Sequence, residues 1–236
     1  RVTAGELRRM KRRGEPIVMI TAYDFPSARL VDEAGVTAIL VGDTLGMVVL
    51  GYDTTVPVTM DEMLHHIKAV VRGTRKAHIV ADMPFMSYTS PEQALENAVR
   101  LMQEGGAMMV KLEGGWAVET VRFLAARGIP LCAHLGLTPQ SANALGGYRV
   151  QGRDEAAAQL LELRAREFAE AGAAMLVLEL VPAALAQRVQ AQNPELVVIG
   201  IGAGVVDRLR ELNLPAVPFN ASERTDETDA SGDMTT

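Results

Sequence analysis

The sequence predicts an α/β fold, a (β/α)8 barrel of the TIM type whose eighth unit is truncated or replaced, and three observations carry that prediction. Short apolar runs alternate with helical segments along the chain, as strands of a parallel sheet alternate with crossover helices. The unit of strand, loop and helix recurs about seven times. Six of the runs lead into a polar side chain suited to metal or proton chemistry, namely Asp24, Asp43, Asp82, Glu113, His134 and Glu179. A doubly wound open sheet, the main rival, concentrates its ligand groups at one switch point. A barrel gathers the C-terminal ends of all its strands around one mouth, which suits six polar ends better.

The elements follow in order. Arg8, Arg9, Lys11, Arg12 and Arg13 form a basic cluster, read as a solvated helix face closing the barrel bottom. Strands are expected over residues 17–20, 38–41, 78–81, 108–110, 130–133 and 175–178, each short and apolar on both faces. Thr59 with Glu62, and Ser90 with Gln93, have the spacing of capping boxes, and Pro91 takes the favoured first helical position. Helices are expected to stop at Gly35, Gly105, Gly128 and Gly172, where a left-handed cap costs glycine least.

Length and composition bound the rest. At 236 residues the chain is near the ~250 of a single-domain barrel, and 48% hydrophobic residues support a sizeable core. One barrel domain is expected over residues 1–220, followed by an acidic tail over 221–236. That tail contributes -4 of the formal charge of -6 and has almost no apolar side chains to offset its ordering entropy, so it reads as disordered. A single cysteine, Cys132, excludes an internal disulfide framework and a cysteine-only zinc cage. No apolar run reaches the ~18 residues of a membrane span. A soluble cytoplasmic protein with neither membrane nor nucleic acid as partner is expected.

Asp43, Asp82 and Glu113 end three successive strands, so a barrel brings their carboxylates to one side of its mouth. Such hard oxygen ligands suit Mg2+, which keeps positions for water or substrate; the bland role for each is to cap a helix or pair with a base. Lys111 lies two residues before Glu113, so strand alternation points both the same way. It could hold a substrate carboxylate or enolate, or form a structural ion pair. Glu179 stands isolated among apolar neighbours, where desolvation would suit a general base; helix capping beside Pro182 is its alternative. His134 reads equally well as a ligand and as a structural histidine. His65 and His66 are given no role. Gly200, Gly202 and Gly204 lack the spacing of a dinucleotide loop. Tyr23, Trp116 and Tyr148 read as core packing.

Several segments read together, in order: Thr21-Ala22-Tyr23-Asp24, Val41-Gly42-Asp43-Thr44-Leu45-Gly46-Met47, Ala81-Asp82-Met83-Pro84-Phe85, Val110-Lys111-Leu112-Glu113-Gly114-Gly115, His134-Leu135-Gly136-Leu137-Thr138-Pro139-Gln140-Ser141 and Gly146-Gly147-Tyr148. From about residue 3 to Gly204 the chain closely resembles the ketopantoate hydroxymethyltransferase family. The resemblance implies a barrel that moves a one-carbon unit from 5,10-methylenetetrahydrofolate to 3-methyl-2-oxobutanoate, giving 2-dehydropantoate for pantothenate biosynthesis. It further implies Asp43 and Asp82 as magnesium ligands, with Glu113 as the third acid at the metal. Asp43, Thr44, Asp82 and Lys111 become substrate contacts and Glu179 the catalytic base, while His134 remains a pocket group supporting them. Mg2+, the folate cosubstrate and a homo-oligomer come with the same resemblance.

Beyond Gly204 the pattern departs from that family. From about Ile199 onward the chain resembles part of the nuclease domain of phage terminase large subunits, over too short a stretch to supply a nuclease site. Residues 205–212 are expected as a short seventh helix and 216–219 as a short eighth strand, weakened by Pro215 and Pro218. Three other readings stay open: a related magnesium-dependent carbon-carbon lyase or mutase on oxo acids, an impaired chimeric barrel that only binds its ligand, and a phage packaging module.

Overall fold

A computed structural model describes residues 1–202. Residues 205–220, with the expected seventh helix and eighth strand, and the acidic tail lie outside the described residues, as does the boundary between them.

The described chain begins with α1 (Ala4–Arg12), β1 (Met19–Thr21), α2 (Phe25–Glu33), β2 (Ala38–Val41), α3 (Leu45–Val48), α4 (Met60–Gly73) and β3 (His78–Asp82). It continues through α5 (Pro91–Val99), β4 (Met109–Glu113), α6 (Val118–Ala125), β5 (Leu131–Gly136), α7 (Ala142–Leu145), α8 (Glu155–Ala171), β6 (Met175–Glu179), α9 (Ala183–Gln192) and β7 (Val197–Ile201). The seven strands lie side by side in chain order, and every pairing is parallel. The expected alternation is therefore present, and the order without a reversal removes the doubly wound alternative.

Strand alternation sorts side chains onto two faces. Val110, Leu112, Leu131, Ala133, Leu176 and Leu178 join the larger core beneath the helices. Their neighbours Met109, Cys132, Met175 and Val177 join Val80 and Val197 in a second cluster, against which Met19 of β1 and Ile199 of β7 also pack. One cluster touching both the first and the seventh strand requires the sheet to curl into a barrel around it. Helix α4 shows how the outer layer is sealed: Met63, Leu64, His66, Ile67, Val70 and Gly73 are its buried residues, at the spacing of one helical face.

The bottom of the barrel is plugged by α1. Leu7 is 1% exposed and belongs to the inner cluster, while Lys11 donates hydrogen bonds to the carbonyls of Asn193 and Leu196 just before β7. Arg9, Arg12 and Arg13 of the basic cluster are exposed, as a solvated face requires, whereas Lys11 is turned to structural use and Arg8 is half-buried, with its Nε shielded from solvent. Asp32, in α2, accepts hydrogen bonds from the backbone N–H groups of Arg75, Lys76 and Ala77 at 3.0, 2.8 and 2.7 Å, so its buried carboxylate anchors the entry to β3.

The first strand departs from its expected bounds of 17–20: it runs over Met19–Thr21, with Val18 and Ile20 exposed and not buried. Two helix-end expectations also need correction. The Thr59–Glu62 capping box forms both of its bonds. At Ser90 only half of the box is made, because Gln93 Oε1 accepts from the backbone of Thr89 instead of Ser90. The left-handed residue after α5 is Gly106, at φ 84°, and not Gly105, because a single π turn over Arg100–Glu104 adds one residue before the chain reverses.

Candidate active site

The inner face of the barrel changes character along its height. On β4 the inward residues run Met109, Lys111, Glu113; on β5, Cys132 then His134; on β6, Met175, Val177, Glu179. Strand register then sets Lys111 beside Asp82, and Glu113 beside His134. An apolar layer below and a charged layer above follow from the period of two alone.

Lys111 Nζ donates to Asp82 Oδ1 at 2.7 Å, and the second oxygen of Asp82 accepts from the backbone N–H of Asp43 at 3.1 Å. All three residues are at most 5% exposed. Burial opposes the charge on Lys111, but the carboxylates of Asp82, Glu113 and Asp43 prevail and hold its ammonium above the usual range. Asp43 is pushed up to about 8, first by burial and then by the like charges of Asp82 and Glu113. Gly42 eases the approach, since a Cβ there would meet Asp82 Oδ2 at 3.3 Å.

A second group of contacts centres on His134. Its Nδ1 stands 3.3 Å from Glu113 Oε2 and its Nε2 3.3 Å from Glu179 Oε2. Neither nitrogen makes a well-aligned hydrogen bond, although both lie at ion-pair distance. Burial and Lys111 disfavour the imidazolium, yet contact with the two glutamates outweighs them and raises His134 above the usual histidine range. Glu179 is therefore not isolated: its carboxylate is partnered by a histidine from the adjacent strand and keeps 19% side-chain exposure toward the mouth. The backbone there is tight. Gly136, at φ 91°, lies where a Cβ would meet Glu179 O at 2.1 Å, and Leu137 N–H donates to that same carbonyl at 2.8 Å. Leu180, at φ 45°, is a non-glycine residue in the left-handed region directly after Glu179, a strained conformation held by hydrogen bonds with Ile201 and Gln151.

Thr44 opens α3 without making a cap bond, so its hydroxyl is not spent on the helix. Asp24 stands apart from the buried acids: it is exposed and caps α2 by accepting from Ser27 N–H at 2.8 Å. Tyr23 packs against the core as expected, whereas Trp116 is 56% and Tyr148 39% exposed. Both are rim residues, not core. Trp116 stacks on Tyr88 at 5.3 Å between ring centroids, and Tyr148 Oη reaches Met47 Sδ at 3.7 Å. Two residues given no role from sequence, Gln140 and Tyr88, are buried among the acids. Gln140 lies within one of the matched segments, so its position was visible while its contacts were not.

Three acidic side chains are buried against Lys111 and crowded enough to push Asp43 up to about 8, so the cluster gains from further positive charge, an environment that fits a divalent cation. Among the described residues no three His, Cys, Asp or Glu side chains form a ready-made metal cage. Two aspartate carboxylates are a ligand set of the kind Mg2+ accepts, its remaining positions going to water or substrate oxygens.

Fold and site together define a parallel α/β-barrel enzyme with an acid-lined mouth. The chain belongs to the ketopantoate hydroxymethyltransferase family, whose model matches residues 1–207. The 3-methyl-2-oxobutanoate hydroxymethyltransferase of Leptothrix cholodnii is 60% identical over 207 residues, covering 86% of this chain and 71% of the relative. That of Carboxydothermus hydrogenoformans is 59% identical over 207 residues, covering 87% and 75%. Among solved structures, a 2,3-dimethylmalate lyase of the PEP mutase/isocitrate lyase superfamily aligns over 93% of this chain and 92% of its own, at 16% identity and a TM-score of 0.58. A phosphoenolpyruvate phosphomutase from Streptomyces platensis subsp. rosaceus covers 89% and 84%, at 14% identity and a TM-score of 0.60. At such identity these two structures speak for the barrel fold alone. Among the described residues, no helix is long and apolar enough to cross a membrane.

Proposed function

We propose that the chain transfers a hydroxymethyl group from 5,10-methylenetetrahydrofolate to 3-methyl-2-oxobutanoate, giving 2-dehydropantoate. The observation that carries this reading is the pairing of Glu179 with His134 beside the Asp43, Asp82 and Lys111 cluster, a base set against a charge-stabilising group at one barrel mouth. Asp43 and Asp82 would hold Mg2+, with Glu113 as the third acid near it. Asp43, Thr44, Asp82 and Lys111 would bind the oxo acid.

Carbon 3 of the substrate is weakly acidic, so its proton leaves only if the electron pair left behind is stabilised as it moves toward the oxo oxygen. Bound Mg2+ supplies a Lewis acid for that charge. Lys111, held protonated by its three acidic neighbours, adds a fixed positive centre. Glu179 takes the carbon-3 proton, and His134 holds the Glu179 carboxylate in place from the neighbouring strand. One N–CH2 bond of the folate opens to an iminium, carbon 3 bonds to its methylene carbon, and water supplies the hydroxyl as the second N–CH2 bond breaks. The carbon-3 proton and one proton of that water end on the two folate nitrogens, and tetrahydrofolate departs.

A lyase or mutase reaction on a related oxo acid gains support from fold alone and fits less well than the relatives' shared activity. A cytoplasmic location and a homo-oligomer accompany the reading through the family resemblance. The test is proton NMR of 3-methyl-2-oxobutanoate in deuterated buffer with the protein and Mg2+ but no folate. The carbon-3 signal should disappear faster than with Mg2+ alone; a rate equal to that control would refute the proposed site.

A further inference from the structure

Gln140 uses nearly all of its hydrogen-bonding capacity inside the acid cluster. Its side-chain Nε2 donates to Asp43 Oδ2 at 2.8 Å and to Met83 O at 2.9 Å. Its Oε1 accepts from Tyr88 Oη at 2.6 Å, and its backbone N–H donates to Glu113 Oε1 at 2.6 Å. The residue is 5% exposed.

The Met83 carbonyl sets the orientation of this amide. Turned over, the amide oxygen would face that carbonyl, which can only accept, and Tyr88 would give up its short contact with Gln140 and donate to Glu113 O at 3.2 Å. Tyr88 has a single hydroxyl proton. It goes to the shorter contact, with Gln140, so the same oxygen accepts from Glu113 N–H at 3.3 Å. A chain of hydrogen bonds thus runs from the backbone of β4 through Tyr88 and the Gln140 amide to Asp43, while the Gln140 backbone holds Glu113. Asp43 is engaged through Oδ2, and its Oδ1 makes no hydrogen bond among the described residues.

We infer that Gln140 is a positioning residue: it fixes the Asp43 and Glu113 carboxylates in the arrangement that binds the divalent cation, with the Met83 carbonyl setting the direction of its amide and Tyr88 bonded to its oxygen. This rests on the proposed metal site. A neutral donor suits the task, because it orders two acids without cancelling the charge the cation needs. The short helical turn over Pro139–Ser141, reached from β5 through the left-handed Gly136, delivers the side chain and the backbone N–H together.

Calorimetric titration of the full chain with Mg2+, without substrate, tests the inference. Gln140→Met keeps the length of the side chain and removes both donors; a loss of roughly ten- to a hundredfold in Mg2+ affinity is expected. Tyr88→Phe should lose less, in the same direction. Raising Mg2+ should restore much of the carbon-3 exchange rate in Gln140→Met, a rescue that a merely structural role would not give. Should Gln140→Met not fold, Gln140→Glu, which keeps the volume and the backbone contact to Glu113 but places an acceptor against Asp43, decides by the same titration. Parental Mg2+ affinity in a folded Gln140 variant overturns the inference and leaves the metal site standing. A parent chain that binds no Mg2+ overturns both.

Discussion

Nε2 of His134 stands 3.3 Å from Oε2 of Glu179, across two adjacent strands, in a site whose charged side chains are otherwise acids and one lysine. The contact turns a carboxylate at the barrel mouth into a held base. Replacing His134 by Ala is expected to slow carbon-3 exchange at least tenfold, because Glu113 and Glu179 both lose their shared neighbour. Unchanged exchange in a folded variant would show that the imidazole only fills space.

Glu179→Gln removes the proposed proton acceptor and leaves the shape. Exchange at carbon 3 should fall by a hundredfold or more, the scale of a lost general base. Mg2+ affinity, measured by calorimetry, should stay near the parental value, since Glu179 is assigned to the proton and not to the ion. A large parallel loss of Mg2+ binding would reassign it.

Asp43→Asn and Asp82→Asn are expected to weaken binding of Mg2+ and of the oxo acid together. Substrate affinity that is independent of Mg2+ in the parent chain would contradict the shared site. In chelator-treated protein the Asp43 variant should be no less stable than the parent, because it removes one of three crowded buried acids.

Lys111→Met strips a buried carboxylate of its only ammonium. A cost of about 3 kcal/mol or more in metal-free stability is expected, as when one partner of a buried pair is removed. Added Mg2+ should then raise the melting temperature of the variant more than that of the parent, because the cation restores charge balance. Equal shifts would argue against a common electrostatic cluster.

Asp32 offers a pH test far from the mouth. Burial tends to raise its carboxyl, but three backbone N–H donors outweigh that and hold it below the usual range. A depressed acid contributes stability above its unfolded value of about 3.9 and loses it as pH falls through the folded value. Asp32→Asn should therefore cost about 2 kcal/mol at pH 7, in the range of hydrogen bonds to a charged group, and progressively less below about pH 4. Urea midpoints of parent and variant across that range decide it; a constant difference would mean that the charge is irrelevant.

Much of this protein is written along its chain. Parallel strands buried on both faces must be short apolar runs, and their order and the polar residues at their ends can be read without coordinates. The spacing of Lys111 and Glu113 on β4 shows that they share a face, because strand alternation is a local rule. What a chain position cannot reveal is which partner it meets from another strand. Glu179 sits in a run of leucines and valines, yet the register of β5 against β6 brings His134 to it. Gln140 lies in a short turn with no periodic pattern to mark it, and its hold on Asp43 joins residues 97 positions apart. Trp116 and Tyr148 are aromatic and so read as core, but the loops after β4 and β5 carry them out to the rim. Sequence by itself determined the elements, their order and the acids, since those depend on local pattern. Tertiary structure alone decided which charges are paired, which are crowded and which side chains face the mouth, because those follow from strand register and loop path, and contact energies between distant residues have no signature in the spacing of either one.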